Sequence, residues 1–322
     1  MRASQAMLAL ALLSLVDLVS VSRGYVQPVT ADWAPGTERF AAVDWLLAQH
    51  PRDRFVTEAH GPFRLHNLGM TYDIEGAGGY ESFGIWRYYN LLYTINNGQP
   101  YPFAKLKQDL AAGDLKRFDT QLVDLLNVRW FIGTRPPAPG WIERFRPSPG
   151  APLHAVHEPG WDPQIRAYEN PRVLPRAFVV HQADVLPDDV AQARALRALD
   201  ARGRVILAEP PAPVPVGSGF EPAEVTVAER HRVVVRATTP TAGILVLGDA
   251  WYPGWRVTID GAPATLLRAD YALRGVALPA GTHTVEFRFS SRPVGVGLLL
   301  SALGLLLLAA LAWIGRTRPS LL

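Results

Sequence analysis

Two long apolar stretches bracket a chain whose middle alternates between hydrophobic and polar positions. Val294 to Ile314 (VGVGLLLSALGLLLLAALAWI) carries neither charge nor proline. As a helix rising ~1.5 Å per residue it spans a hydrocarbon core ~30 Å thick. Trp313 lies near one edge, where an indole suits a membrane interface, and Arg316 and Arg318 follow. A buried core helix is the competing reading, but such helices usually keep a polar face. Ala6 to Ser22 (AMLALALLSLVDLVSVS) is the second apolar stretch. It reads either as a signal peptide, with Arg2 as its basic start and Met7 to Val16 as its apolar centre, or as a transmembrane helix that tolerates Asp17 near its outer end. The lack of a small-x-small cleavage site before Arg23 favours the helix. Either way the middle of the chain lies outside the cytoplasm, and Arg316 and Arg318 lie inside.

Between these stretches, Tyr25 to Pro35 is a polar connector. Thr37 to His50 reads as a helix capped by Thr37, with Phe40, Val43 and Leu47 on one face and Pro51 as its stop. Arg54 to Ala59 reads as a strand. Phe103 to Ala112 and Asp119 to Asn127 read as short helices, Val128 to Gly133 as a buried strand, and Pro136 to Pro152 as a proline-rich link. From Gln164 the pattern is mostly β. Strands are expected at Ile165–Tyr168, Ala177–His181, Arg204–Ala208, Ala223–Ala228, His231–Ala237, Ile244–Leu247, Trp255–Ile259, Ala264–Arg268, Ala272–Ala277 and Thr282–Phe289. A helix, Asp188 to Ala201, interrupts them. Val233/Val235 and Val285/Phe287/Phe289 alternate with polar neighbours, and Asp260-Gly261 predicts a tight hairpin turn.

The expected fold is therefore a membrane-anchored α+β protein. A transmembrane helix or uncleaved signal anchor (1–24) precedes a small extracytoplasmic α/β subdomain (25–150). An antiparallel β-sandwich (151–291), a transmembrane helix (292–316) and a cytoplasmic tail (317–322) follow. The composition, 48% hydrophobic and 19% charged, fits an ordinary globular protein with apolar segments added. A net charge of +3 and the lack of a basic stripe argue against a nucleic-acid partner. Absent cysteine excludes disulfides and thiol chemistry.

Candidate chemistry concentrates in Met70 to Tyr93. Aromatic rings stack on sugar C–H faces while charges bind hydroxyls or phosphate. Asp73, Glu75, Tyr80, Trp86, Arg87 and Tyr88 are thus candidate glycan- or ligand-binding residues. The competing reading is a glycine loop leading into an amphipathic helix whose aromatics dock on the domain or the membrane interface. The Gly76 to Gly79 run lacks the Lys-Ser/Thr ending of a phosphate-binding loop. His154, His157, Glu158 and Asp162 lie close together, but prolines and glycine break any helix that would align them, so no metal site is expected. No cofactor is expected either.

Gly248 to Gly261 (GDAWYPGWRVTIDG), Arg268-Ala269-Asp270-Tyr271 and Leu278 to His283 together resemble the C-terminal part of the bacterial YfhO-type membrane protein family. Gly79-Tyr80, Arg87-Tyr88, Leu126 to Trp130, Tyr168 to Pro171 and Leu174 to Phe178 agree in order, so the resemblance covers most of Tyr72 to Ile314. It implies kinship with multi-helix glycosyltransferases that use lipid-linked sugar donors. A full member has about a dozen membrane helices before this region, and the loops holding its catalytic acids have no counterpart here. No catalytic residue transfers. Trp251, Tyr252, Pro253, Gly254 and Trp255 read as a structural turn folding two indoles against the sandwich, or alternatively as a glycan-stacking surface.

Three functions follow. The first is a non-catalytic outer portion of a glycosyltransferase-like membrane protein, with the bilayer, a polytopic membrane protein and a glycan or lipid-linked sugar as partners. The second is a self-contained membrane-bound glycosyltransferase, which needs a pocket carboxylate with a raised pKa. The third is a single-anchor envelope binding or scaffold protein.

Overall fold

The computed structural model describes residues 16, 41–49, 53–58, 74–78, 85–100, 115–148 and 165–317. The expected N-terminal membrane segment, the helix at Phe103–Ala112 and the His154–Asp162 cluster lie outside the described residues, as do Asp73 and Tyr80, apart from the single residue Val16.

A four-stranded sheet opens the fold. It runs in the order β1 (Arg54–Thr57), β2 (Val128–Gly133), β4 (Arg166–Glu169), β3 (Ile142–Phe145), with β1 parallel to β2 and the other pairs antiparallel. Helix α1 (Ala41–Ala48) packs Ala42, Val43 and Leu46 against Phe55, Ile132 and Ala167 on one side of it. The strand β3 lies inside the stretch expected to be a link. Its side chains are largely exposed, so apolar alternation is missing; ion pairs such as Arg144–Glu169 at 2.6 Å tie it to the sheet instead.

The larger sheet has eleven strands. They are β5 (Ala177–Val180), β6 (Gln182–Val185), β7 (Arg204–Leu207), β8 (Phe220–Glu229), β9 (Arg232–Thr239), β10 (Gly243–Ala250), β11 (Trp255–Ile259), β12 (Ala262–Ala264), β13 (Leu267–Ala269), β14 (Leu273–Leu278) and β15 (Gly281–Phe289). The spatial order is β12-β11-β15-β9-β8-β5-β10-β14-β13-β7-β6. The sheet turns its corner at β8. The first part of that strand pairs with β5 and the second with β9, with a register shift between Val225 and Val227. A bulge of this kind bends a strand and increases its twist. The two halves then face each other as a β-sandwich, with Val179, Leu245 and Leu247 from one packed against Val235, Val285 and Phe287 from the other.

Burial explains the two sequence patterns. Strands β9 and β15 alternate because one face meets the core and the other water: Phe287 is buried, while Glu286 pairs with Arg232 at 2.9 Å. Strands β5, β10 and β14 read as mainly apolar runs rather than alternating ones because both faces are covered, with Asp249 and Arg274 as charged exceptions. Phe178, Val180, Ile244 and Val246 point away from the sandwich core. They join a second core with Leu91, Leu92 and Ile95 of α2 (Trp86–Asn97) and Leu122 and Leu125 of α3 (Gln121–Leu125).

The expected hairpin at Asp260-Gly261 is present. Ile259 pairs with Ala262 across it, and φ is 51° and 83° at the two turn residues, the mirror-image turn that matches strand twist. The helix expected at Asp188–Ala201 is shorter: α4 (Asp189–Ala195), capped by Asp188, tightens into a 3-10 turn at Leu196–Ala198. The strand expected at Ala264–Arg268 is split between the end of β12 and the start of β13, with Thr265 and Leu266 between them, and β6 had no expectation.

The last strand leads into α5 (Arg292–Thr317), a helix of 26 residues. All its described side chains are exposed, Leu298 at 68% and Leu305 at 69% among them. Among the described residues no helix is long and apolar enough to cross a membrane, so the transmembrane helix expected at 292–316 is not found.

Candidate binding site

The described end of the Met70–Tyr93 stretch, from Ile85 onward, meets the Trp251–Trp255 turn at one place. Helix α2 docks onto the turn between β13 and β14. Asn90 Nδ2 donates to the Tyr271 hydroxyl at 2.6 Å, and the Arg87 guanidinium lies 5.7 Å from the centre of the Tyr271 ring. Arg87 Nη1 also lies 2.7 Å from Asp189 Oδ2, an ion pair whose alignment falls short of a hydrogen bond; Asp189 in turn accepts from Arg268 at 2.9 Å. From the other side, the Trp251 backbone N–H donates to the carbonyl of Ala272 at 2.7 Å. The Tyr271-Ala272 pair thus holds both stretches side by side.

A pocket of about 600 Å³ opens between them. Ile85, Trp86 and Arg87 line it from the start of α2, and Trp251, Tyr252, Pro253 and Trp255 from the turn. Phe289, the last residue of β15, and Arg230, in the turn between β8 and β9, complete it. No carboxylate is among these residues. Trp86 and Tyr252 are the most open of the rings, at 39% and 45% exposure. Trp255 packs against the sandwich core, tilted on Phe289 at 5.5 Å, with the Arg274 guanidinium 3.8 Å from its ring centre. The turn needs a glycine at 254, where φ is 110° and a Cβ would stand 2.9 Å from the Phe289 ring. Two cations against aromatic walls suit a ligand with a planar or C–H face and negative charge.

The remaining candidates go elsewhere. Glu75 accepts from Arg176 and lies 3.8 Å from Arg54, inside an ion cluster between the two sheets. Tyr88 is half-buried, and its enclosed hydroxyl donates to the Ala77 carbonyl at 2.7 Å; burial raises its pKa. The cluster around Glu75 centres on buried Asp249, which accepts from Arg54, Arg176 and Arg274. Burial works to raise this carboxyl, but the three guanidiniums outweigh it and hold it well below the usual carboxylate range. Burial, opposed by Asp249 and reinforced by Arg176 and Arg54, brings Arg274 down to about 10. The cluster is a structural clamp: Arg54 also donates to the carbonyls of Leu126 and Gly248 and so ties β1 to β10.

The carboxyl group that burial raises, Asp270, reaches about 7. Its Oδ1 accepts the Ile206 N–H at 2.9 Å, and it is not a pocket residue. Among the described residues no group of three or more histidine or acidic side chains could hold a metal. Sequence reasoning missed Arg230, Phe289 and the Arg54–Arg176–Arg274 cluster. For the cluster a signal existed, since Arg54 and Arg274 interrupt otherwise apolar strands, a pattern that calls for a buried counter-charge. No protein-family model, no curated protein and no solved structure matches this chain.

Proposed function

We propose that the chain is the C-terminal extracytoplasmic portion of a YfhO-like, glycosyltransferase-related integral membrane protein. On this reading it sits in a bacterial cell membrane with residues 25–291 on the outer side. It is non-catalytic by itself and assists the handling of a glycan or lipid-linked sugar in the cell envelope.

One juxtaposition carries the reading. Phe289 lines the aromatic pocket, and the 26-residue α5, apolar and exposed along its described length, begins at Arg292. A helix that is apolar all round needs a cover that water does not supply. A pocket at the root of such a helix would lie at the level of lipid headgroups. Its open rings, Trp86 and Tyr252, offer stacking surface for a sugar.

The test is a pull-down of the tagged chain from membranes in mild detergent, with the recovered N-terminus sequenced. The expected result is a co-purifying polytopic membrane protein and an intact Met1. A chain recovered alone and beginning after about Ser22 would replace this reading with that of a single-anchor binding protein.

A further inference from the structure

The turn from which both walls of the pocket hang has an uncommon backbone. Asp270 and Tyr271 follow β13 with φ at 45° and 72°. The Ala272 N–H donates to the Asp270 carbonyl at 2.9 Å and closes a three-residue turn around Tyr271. A γ-turn with positive φ at its centre is rare and strained, the more so at a bulky residue. That bond spends the carbonyl with which Asp270 would continue its ladder to β7. The Asp270 N–H still donates to the Ile206 carbonyl at 2.7 Å. The side chain replaces the missing acceptor, with Oδ1 receiving the Ile206 N–H at 2.9 Å. An amide would serve this purpose as well as a carboxyl.

The surroundings of that carboxyl set it apart. Asp270 is 1% exposed, and its neighbours Ile206, Ala269, Tyr271 and Ala272 belong to the apolar core. The charged side chains on the elements around it turn elsewhere. Arg268 of β13 and Arg87 of α2 pair with Asp189 of α4, Arg204 of β7 with Asp184, and Arg274 of β14 with Asp249. Burial and the Ile206 bond are what act on Asp270, and burial prevails. We infer that the Asp270–Tyr271 turn is a proton-operated latch on the pocket, closed while the carboxyl is neutral and released when it ionises. A carboxylate without a counter-charge is costly in an apolar core and is relieved by reaching water. Opening relieves the strain at Tyr271 as well. It also breaks both attachments of the pocket walls: the Asn90 bond to the Tyr271 hydroxyl, which holds α2, and the Trp251 backbone bond to the Ala272 carbonyl, which holds the Trp251–Trp255 turn. The inference rests on the geometry of the pocket and not on the membrane reading above.

The chain has no cysteine, so W86C and R256C supply two unique sites for spin labels, one at the start of α2 and one beside the Trp251–Trp255 turn. Both positions are exposed. The label separation is measured in the full chain in detergent, by pulsed electron spin resonance, from about pH 4 to about pH 8. The closed form holds the proton more tightly than the open one. The ratio of open to closed chains should therefore rise about tenfold per pH unit from about pH 4 and level off above about pH 7. D270N cannot ionise and should keep the short separation throughout. D270S, which stays neutral with a shorter acceptor, should likewise show no dependence on pH. N90A, which removes the bond to the Tyr271 hydroxyl, should raise the open fraction already at about pH 5. A separation that does not change with pH in the otherwise wild-type chain overturns the proposal. The same change in D270N or D270S would assign it to another group and overturn the proposal too. An N90A profile identical to that of wild type would detach α2 from the turn, with the same result. Loss of far-ultraviolet circular dichroism over this range would mean global unfolding and no latch. The membrane reading stands or falls separately, on the co-purifying partner.

Discussion

Asp249 is where single residues matter most. Its neighbours Arg54, Arg176 and Arg274 bring three positive charges into a space closed to water. Removing one partner of a buried pair strands the others. D249N should therefore lower stability by about 3–5 kcal/mol, read from the denaturant midpoints of the wild-type and variant chains. Because the folded state holds this carboxyl below its unfolded value, its contribution is present above about pH 4 and is lost as pH falls further. The variant should lack that acid-side loss. Asp270 works in the opposite sense. Its folded pKa of about 7 lies above the unfolded value, so its own contribution is fully present below about pH 4 and is lost as pH rises through 7. Asparagine keeps the acceptor for Ile206 N–H and tolerates the positive φ of 45°. D270N should match wild type near pH 4 and exceed it at pH 8 by about 1–3 kcal/mol, measured by thermal or chemical unfolding at the two values.

At the scale of elements, the strands differ in what a mutation meets. Gly243 opens β10 where a Cβ would stand 2.6 Å from Val179 Cγ1 and 3.2 Å from the Val180 carbonyl. G243A should cost about 1–3 kcal/mol by overpacking, visible as a lowered unfolding midpoint with an unchanged slope. The same double cover makes β5, β10 and β14 readable as apolar runs, and single cover makes β9 and β15 readable by alternation. The strands β3 and β6 escaped because both are largely exposed and lack either signature. The short strands β12 and β13 blurred into one expectation, since Leu266 and Leu267 sit among small apolar neighbours without a turn residue between them. The binding pocket was half legible. Trp86, Arg87 and the Trp251–Trp255 turn stand out in the sequence, but their meeting depends on Tyr271 and Ala272, more than 170 residues beyond α2. Sequence spacing carries no trace of that. Glu75 and Tyr88 looked like site residues because a carboxylate and a phenol beside glycine suit a ligand as well as they suit a clamp.

At the scale of the molecule, three of the resemblance-bearing residues hold joints. Arg129 bridges Asp53 and Glu169 in the small sheet, Asn170 Nδ2 bonds Asp124 and the Val128 carbonyl, and Arg176 links Asp249 to Glu75. The sandwich and the small sheet are thereby one stiff headpiece, with the pocket at the end that carries α5. Only two serines separate Phe289 from the first helical residue, and the chain there is already committed: Phe289 N–H bonds the His231 carbonyl, and Ser290 N–H bonds that of Gly254. Gly254 belongs to the turn whose tryptophans wall the pocket. The root of α5 is thus stitched by backbone hydrogen bonds to the turn that walls the pocket, so the pocket and the helix share one anchorage.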